Sequence, residues 1–297
     1  MKKVLIVLSA IFLLTPSNAF SLNLSDFETP ESMQVDTETG AYYISNINGE
    51  PLTKDGNGYI SKITANGNTV IRKFIGGKPE NPVLNAPKGL VIVGKDIFVT
   101  DIDVVKAFDK ESGKLSATID LTPWNAKFLN DIAVDSSNSL YVSDMFTNRI
   151  FKIDPSKNNE VTVFKESPEL GMPNGVVINP KTRNLMVVTW GSGQILEIDP
   201  AGHIHVLKRG LKGLDGIDYD SEGNLYVSSF EMGEVYRIPL YGRGALSTFL
   251  SGLVSPADIS CDRAKGELLV PSSKNNDLRT YPLEKTNGRG STPVARR

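Results

Sequence analysis

Glu31, Lys88, Asn130, Asn174 and Asp215 are the residues of this 297-residue chain whose types would do chemistry if the fold gathered them. Glu31, Asn130, Asn174 and Asp215 form an all-oxygen set, two carboxylates and two carboxamides, which suits one hard divalent cation. Calcium fits best, with manganese, magnesium or zinc as the remaining candidates. A zinc site would call for His or Cys, and the only histidines, His203 and His205, alternate on a separate stretch, which also leaves no Ser-His-Asp or Cys-His triad. Without a cation the two carboxylates would repel each other and one would take up a proton. Lys88 brings one positive charge next to Glu31, either as a structural ion-pair partner or as a stabiliser of an oxyanion.

A repeat would bring them together. With Ala257 the five residues follow at steps of 57, 42, 44, 41 and 42. Each opens a copy of a segment such as LNDIAVDSSNSLYVSD (129–144), which reads as two short strands joined by a turn. Alternating third strands open after Gly58, Asp103, Asn148, Gly193, Gly233 and Asn276. One short-stranded sheet cannot bury both faces until neighbours stack on it, so the period predicts an all-β fold, a six-bladed β-propeller with four-stranded blades over residues 20–284. Its innermost strands line a channel, and the six aligned residues meet there at one level. Leu22, Leu24 and Phe27 read as a strand that pairs with the last blade to close the ring.

Segment 46–58 is an insertion rich in Gly, Pro, Asn and Asp, read as a loop of a length that often carries function. Its Asp55-Gly56-Asn57-Gly58 lacks the spacing and closing glutamate of a calcium loop and reads as a turn. Connections 75–87 and 120–130 should rim the channel mouth, and Trp124, Phe128 and Met172 each read singly as packing between blades and together as an apolar substrate wall.

Residues 1–19, with Lys2 and Lys3, an apolar run from Val4 to Leu14 and then Ser17-Asn18-Ala19, read as a cleaved secretory signal. The run is too short for the roughly 20 residues of a spanning helix. The expected location is periplasmic or secreted, with no membrane association after cleavage. Residues 285–297 have little to bury and are expected to stay outside the fold. With 32 basic against 34 acidic residues and no basic run in the repeats, nothing marks a nucleic-acid partner. The single cysteine, Cys261, excludes an internal disulfide and reads as a small buried hydrophobe.

These residues carry a resemblance. The chain resembles the gluconolactonase, regucalcin (senescence marker protein) and luciferin-regenerating-enzyme-like family of six-bladed propellers over essentially its whole length after the leader, and more distantly strictosidine synthase. The family's first-blade glutamate, Asn-Asp asparagine, Asn-Gly asparagine and Asp-Gly aspartate match Glu31, Asn130 with Asp131, Asn174 with Gly175, and Asp215 with Gly216. The resemblance implies that Glu31 and Asn174 hold the metal, that Asn130 lies between metal and substrate, and that Asp215 is both ligand and base, in a hydrolase of a small lactone or ester. Two departures concern the substrate. Phe128 stands where sugar-lactone hydrolases of the family carry a substrate-holding arginine, and Lys88 has no family counterpart, so the resemblance does not imply aldonolactones in particular. The rival reading is a non-catalytic propeller that binds a ligand or protein at its mouth. A metal-free reaction of the strictosidine synthase kind is a third, against which the intact quartet counts.

Overall fold

The computed structural model describes residues 22–78 and 83–283. Its strands form six four-stranded antiparallel sheets arranged as the blades of a propeller. Five blades are built in chain order, from Pro30–Val35 to Val70–Gly76, Pro87–Val93 to Leu115–Asp120, Leu129–Val134 to Glu160–Glu166, Pro173–Ile178 to Ile204–Lys208, and Leu214–Tyr219 to Ser247–Leu250. The sixth is composite. Ser260–Asp262, Glu267–Ser272 and Asp277–Pro282 supply three strands, and the expected N-terminal strand, Asn23–Leu24, supplies the outermost by pairing with Leu278 and Arg279. The expected leader (1–19) and the expected tail (285–297) lie outside the described residues, and among these no helix is long and apolar enough to cross a membrane.

The hinge residues of the repeat follow from backbone preference. Asn148, Gly193, Gly233 and Asn276 precede third strands with φ of 51°, 62°, 64° and 56°, a left-handed turn that Gly and Asn enter most cheaply. The second strand of each blade is buried along almost its whole length, so blades meet through continuous apolar clusters. Phe98 and Val105 of the second blade pack with Leu129, Val142 and Phe151 of the third. At the closure, Leu22 and Phe27 enter a cluster with Met33, Tyr42, Leu269 and Leu278, each contributing on the order of 1.5 to 3 kcal/mol by leaving water. Cys261 lies in the apolar seam of the last blade, where burial pushes its thiol up.

Candidate functional site

The inner strands do not run regularly at the residues of interest. In five blades the pairing of the inner strand with its neighbour breaks over two residues, between Pro30 and Met33, Pro87 and Leu90, Leu129 and Ile132, Pro173 and Val176, and Leu214 and Ile217. Each break contains one of Glu31, Lys88, Asn130, Asn174 and Asp215, and a bulge of this kind re-aims a side chain. In three blades a serine of the second strand fills the gap in the ladder. Ser45, Ser143 and Ser228 accept from the amides of Ser32, Asp131 and Gly216 at 3.0, 3.0 and 2.7 Å. The strands are also crowded at the axis. A Cβ on Gly175 would lie 2.3 Å from the Asp215 carbonyl oxygen, and one on Gly216 would lie 2.2 Å from the Ile259 amide nitrogen, so only glycine allows neighbouring blades this approach.

The six aligned residues, Glu31, Lys88, Asn130, Asn174, Asp215 and Ala257, all line one cavity of about 460 Å³. Glu31 Oε2, Asn130 Oδ1, Asn174 Oδ1 and Asp215 Oδ1 are each buried without a hydrogen-bond partner. The carboxamides are turned to expose those oxygens, since Asn130 Nδ2 contacts Met145 Sδ at 2.9 Å and Asn174 Nδ2 donates to the Leu214 carbonyl at 3.3 Å. Four buried acceptors with no donor form the kind of pocket a hard cation satisfies. No cluster of three His, Cys, Asp or Glu among the described residues is arranged for a metal, because half of this set is carboxamide.

Electrostatics point the same way. Burial first, then the charges on Asp215, Asp258 and Asp131, hold the Glu31 carboxyl well above the usual range, opposed by Lys88. Burial and then Asp258 push Asp215 up to about 8, and burial raises Asp131 to about 7. In the cation-free protein Glu31 and Asp215 therefore favour the protonated form at neutral pH, and positive charge at the cavity floor would return them to carboxylates.

Lys88 is buried, and burial lowers its ammonium to about 8 against the opposing pull of Glu31 and Asp101. Of the two readings of Lys88, the ion pair with Glu31 is not formed: no Lys88–Glu31 contact stands among the ion pairs of the described residues. Its Nζ donates to the main-chain carbonyls of Pro51 and Ala86 at 2.9 and 3.0 Å, and it sits 4.7 Å from the centre of the Phe128 ring. The 46–58 insertion thus reaches the cavity through Ile47, Gly49 and Pro51, while Asp55 closes a turn onto Asn57 rather than a metal loop.

Two devices place the residues one layer nearer the mouth. Thr29, Met172, Gly213 and Ser255, each two positions before an aligned residue, take left-handed φ of 53°, 62°, 49° and 46°. In the other two blades a carboxylate does the work. Asp101 accepts from the Asn85 and Ala86 amides, and Asp144 accepts from those of Lys127 and Phe128 at 2.9 and 3.0 Å. In five blades the residue after the second strand donates its amide to the carbonyl of that same layer: Ile47 to Thr29, Met145 to Phe128, Trp190 to Met172, Phe230 to Gly213, and Ser273 to Ser255. All five face the cavity, as do Phe128 and Met172. Trp124, of the three wall candidates, takes the packing alternative and lies against the cluster of the second and third blades. The second layer of Ile47, Met145, Trp190, Phe230 and Ser273 was not anticipated, although it occupies one position of the repeat.

His203 contacts Asp199 at 2.9 Å outside the cavity, and His205 lies on the outer strand of its blade. At the far ends of the inner strands a second cavity of about 410 Å³ is lined by ion-paired side chains, Lys110 bound to Asp36 and Glu38, and Arg263 bound to Asp218 behind it.

Residues 29–246 match the model of the SMP-30/gluconolactonase/LRE-like region. No curated protein matches the chain. Among solved structures, a virginiamycin B lyase from Staphylococcus aureus is 18% identical with a TM-score of 0.61, over 88% of this chain and 98% of that one. A protein of unknown function from Bacteroides thetaiotaomicron is 14% identical with a TM-score of 0.68, over 87% and 70%. A streptogramin B lyase is 13% identical with a TM-score of 0.64, over 90% and 88%. At these identities the likeness is one of fold.

Proposed function

The chain belongs to the SMP-30/gluconolactonase/LRE-like family, and from that premise we propose that it is an exported, divalent-cation-dependent hydrolase of a lactone or ester. The observation that carries this reading is the set of four unpartnered oxygens on Glu31, Asn130, Asn174 and Asp215 at the floor of a cavity sized for a small molecule. Calcium suits that donor set best, with manganese, magnesium and zinc as alternatives. A cation bound there supplies Lewis acidity, drawing electron density from a carbonyl oxygen and making water easier to deprotonate.

Glu31 and Asn174 form one side of the cation pocket, and Asn130 stands between it and the substrate. Asp215 accepts a proton from water as the water oxygen bonds to the carbonyl carbon. When the acyl C–O bond breaks, Asp215 returns that proton to the departing oxygen, so it ends the cycle as it began. Lys88 keeps a positive charge in the wall, where the negative charge on the former carbonyl oxygen builds up, and Phe128 flanks the bound substrate. Residues 1–19 direct export to the periplasm or beyond. The partner is a small molecule, with no role for nucleic acid or, after signal cleavage, membrane.

The test is a panel of lactones and esters assayed with and without chelator. Hydrolysis that chelator abolishes and calcium restores is the expected result. Turnover indifferent to chelator would overturn the cation dependence.

A further inference from the structure

The cavity is divided by level. Its floor is polar, but the next layer, about 6 to 7 Å nearer the mouth by strand rise, presents Ile47, Phe128, Met145, Met172, Trp190 and Phe230. Aromatic pairs stand within that wall, Trp190 with Phe230 at 5.5 Å and Phe128 with Phe146 at 4.7 Å between ring centres. Phe146 is 51% exposed at the opening, a position where a large apolar side chain fills no core. Few polar groups relieve this wall. Ser273 spends its hydroxyl on the Pro30 carbonyl at 2.7 Å, and the Lys274 ammonium lies 5.4 Å over the Phe230 ring. Thr29 is the other polar side chain at that level.

We infer that the substrate carries its carbonyl on an apolar body, as in an alkyl-substituted or aryl lactone or ester, rather than on the polyhydroxylated ring of a sugar lactone. The carbonyl reaches the floor and the apolar body lies against the layer above. Each sugar hydroxyl brought into that layer without a partner would cost roughly 5- to 100-fold in affinity. Each added methylene on an apolar body gains about 3- to 4-fold until the wall is filled. The reaction assigned to this substrate rests on the hydrolase reading above, whereas its binding does not.

The test separates the two. The full chain with Trp124→Phe retains Trp190 as its only tryptophan. Its fluorescence is titrated, at saturating calcium, with γ-lactams of increasing alkyl length as non-hydrolysed probes. The matching γ-lactones and glucono-δ-lactone are assayed for turnover. Lactam affinity and lactone kcat/KM should both rise about 3- to 4-fold per methylene. Glucono-δ-lactone should fall at least 100-fold below the longest lactone bound. Phe230→Ser should flatten the chain-length dependence while leaving calcium affinity unchanged. Glucono-δ-lactone turned over as well as the alkyl lactones would overturn the apolar substrate class and keep the hydrolase. Chain-dependent lactam binding without any turnover would uphold the class and overturn the hydrolase. Binding indifferent to chain length would overturn the class whatever the turnover.

Discussion

The ammonium of Lys88 donates to the carbonyl oxygen of Pro51, 2.9 Å away, and so fastens the inner strand of the second blade to the long loop of the first. With Ala86 as its other acceptor, it fixes loop and strand while keeping charge at the cavity floor. Lys88→Met should therefore show two effects. Loss of two charge-assisted bonds should cost about 2 to 4 kcal/mol, and trypsin should cut faster at the loop residue Lys54. At saturating cation and below the melting point, kcat should fall by about 100-fold if the charge also meets an oxyanion. A variant that is cut faster and melts early yet keeps full turnover leaves Lys88 as a clasp alone.

Cation binding should depend on the quartet and ignore the histidines. Glu31→Ala and Asp215→Ala should each weaken calcium binding severely in calorimetry, and His203→Ala should leave it unchanged. Chelator should lower the melting temperature of the wild type, because a ligand at 100 times its Kd stabilises by about 2.7 kcal/mol. An unchanged isotherm for Asp215→Ala would place any cation elsewhere.

Asp144 positions Phe128 without touching the cavity, through its bonds to the Lys127 and Phe128 amides. Asp144→Ala leaves two amides without their acceptor and should cost about 1 to 3 kcal/mol. KM for an apolar lactone should rise while calcium affinity holds. Asp144→Asn keeps one acceptor oxygen, so it should recover part of both losses. Equal KM in wild type and Asp144→Ala would show that Phe128 is held by other contacts.

Alkaline stability follows from five tyrosines. Burial raises the hydroxyls of Tyr42, Tyr43, Tyr59, Tyr219 and Tyr226 above their ordinary 10.0 in the folded protein. The folded state therefore holds these protons more tightly than the unfolded chain. The stabilisation is complete below pH 10 and is lost as pH rises beyond it, by about 1.4 kcal/mol per pH unit for each tyrosine ionised only in the unfolded state. Melting temperature should fall steeply above pH 10, with phenolate absorbance appearing together with unfolding. Phenolate absorbance from all five well before unfolding would contradict their burial.

The blades were legible because the repeat writes the same turn chemistry each time, as at Asn148, Gly193, Gly233 and Asn276. The convergence of Glu31, Lys88, Asn130, Asn174, Asp215 and Ala257 followed from it, since equal positions in equal blades share one level. Closure by Leu22 and its neighbours was legible as an apolar alternation with no blade of its own. Less could be read where a side chain's direction depends on long-range main-chain bonds. The residue types of Trp190 and Phe230 do not mark them as wall residues, and only the links of their amides to Met172 and Gly213 turn them into the wall. Lys88 looked like the neighbour of Glu31 because carbonyl acceptors leave no trace in side-chain type.

The composite sixth blade constrains the order of folding. Asn23 pairs with Arg279, so the first of the described strands waits for the last, across 256 residues, before it has its partner. Closing so long a loop is entropically slow, and until it happens the strand Asp277–Pro282 presents an open edge. Folding should end with that step. A circular permutant that joins the present ends and opens the chain between two blades would make all four strands of this sheet neighbours in sequence, and should fold faster with the same cavity.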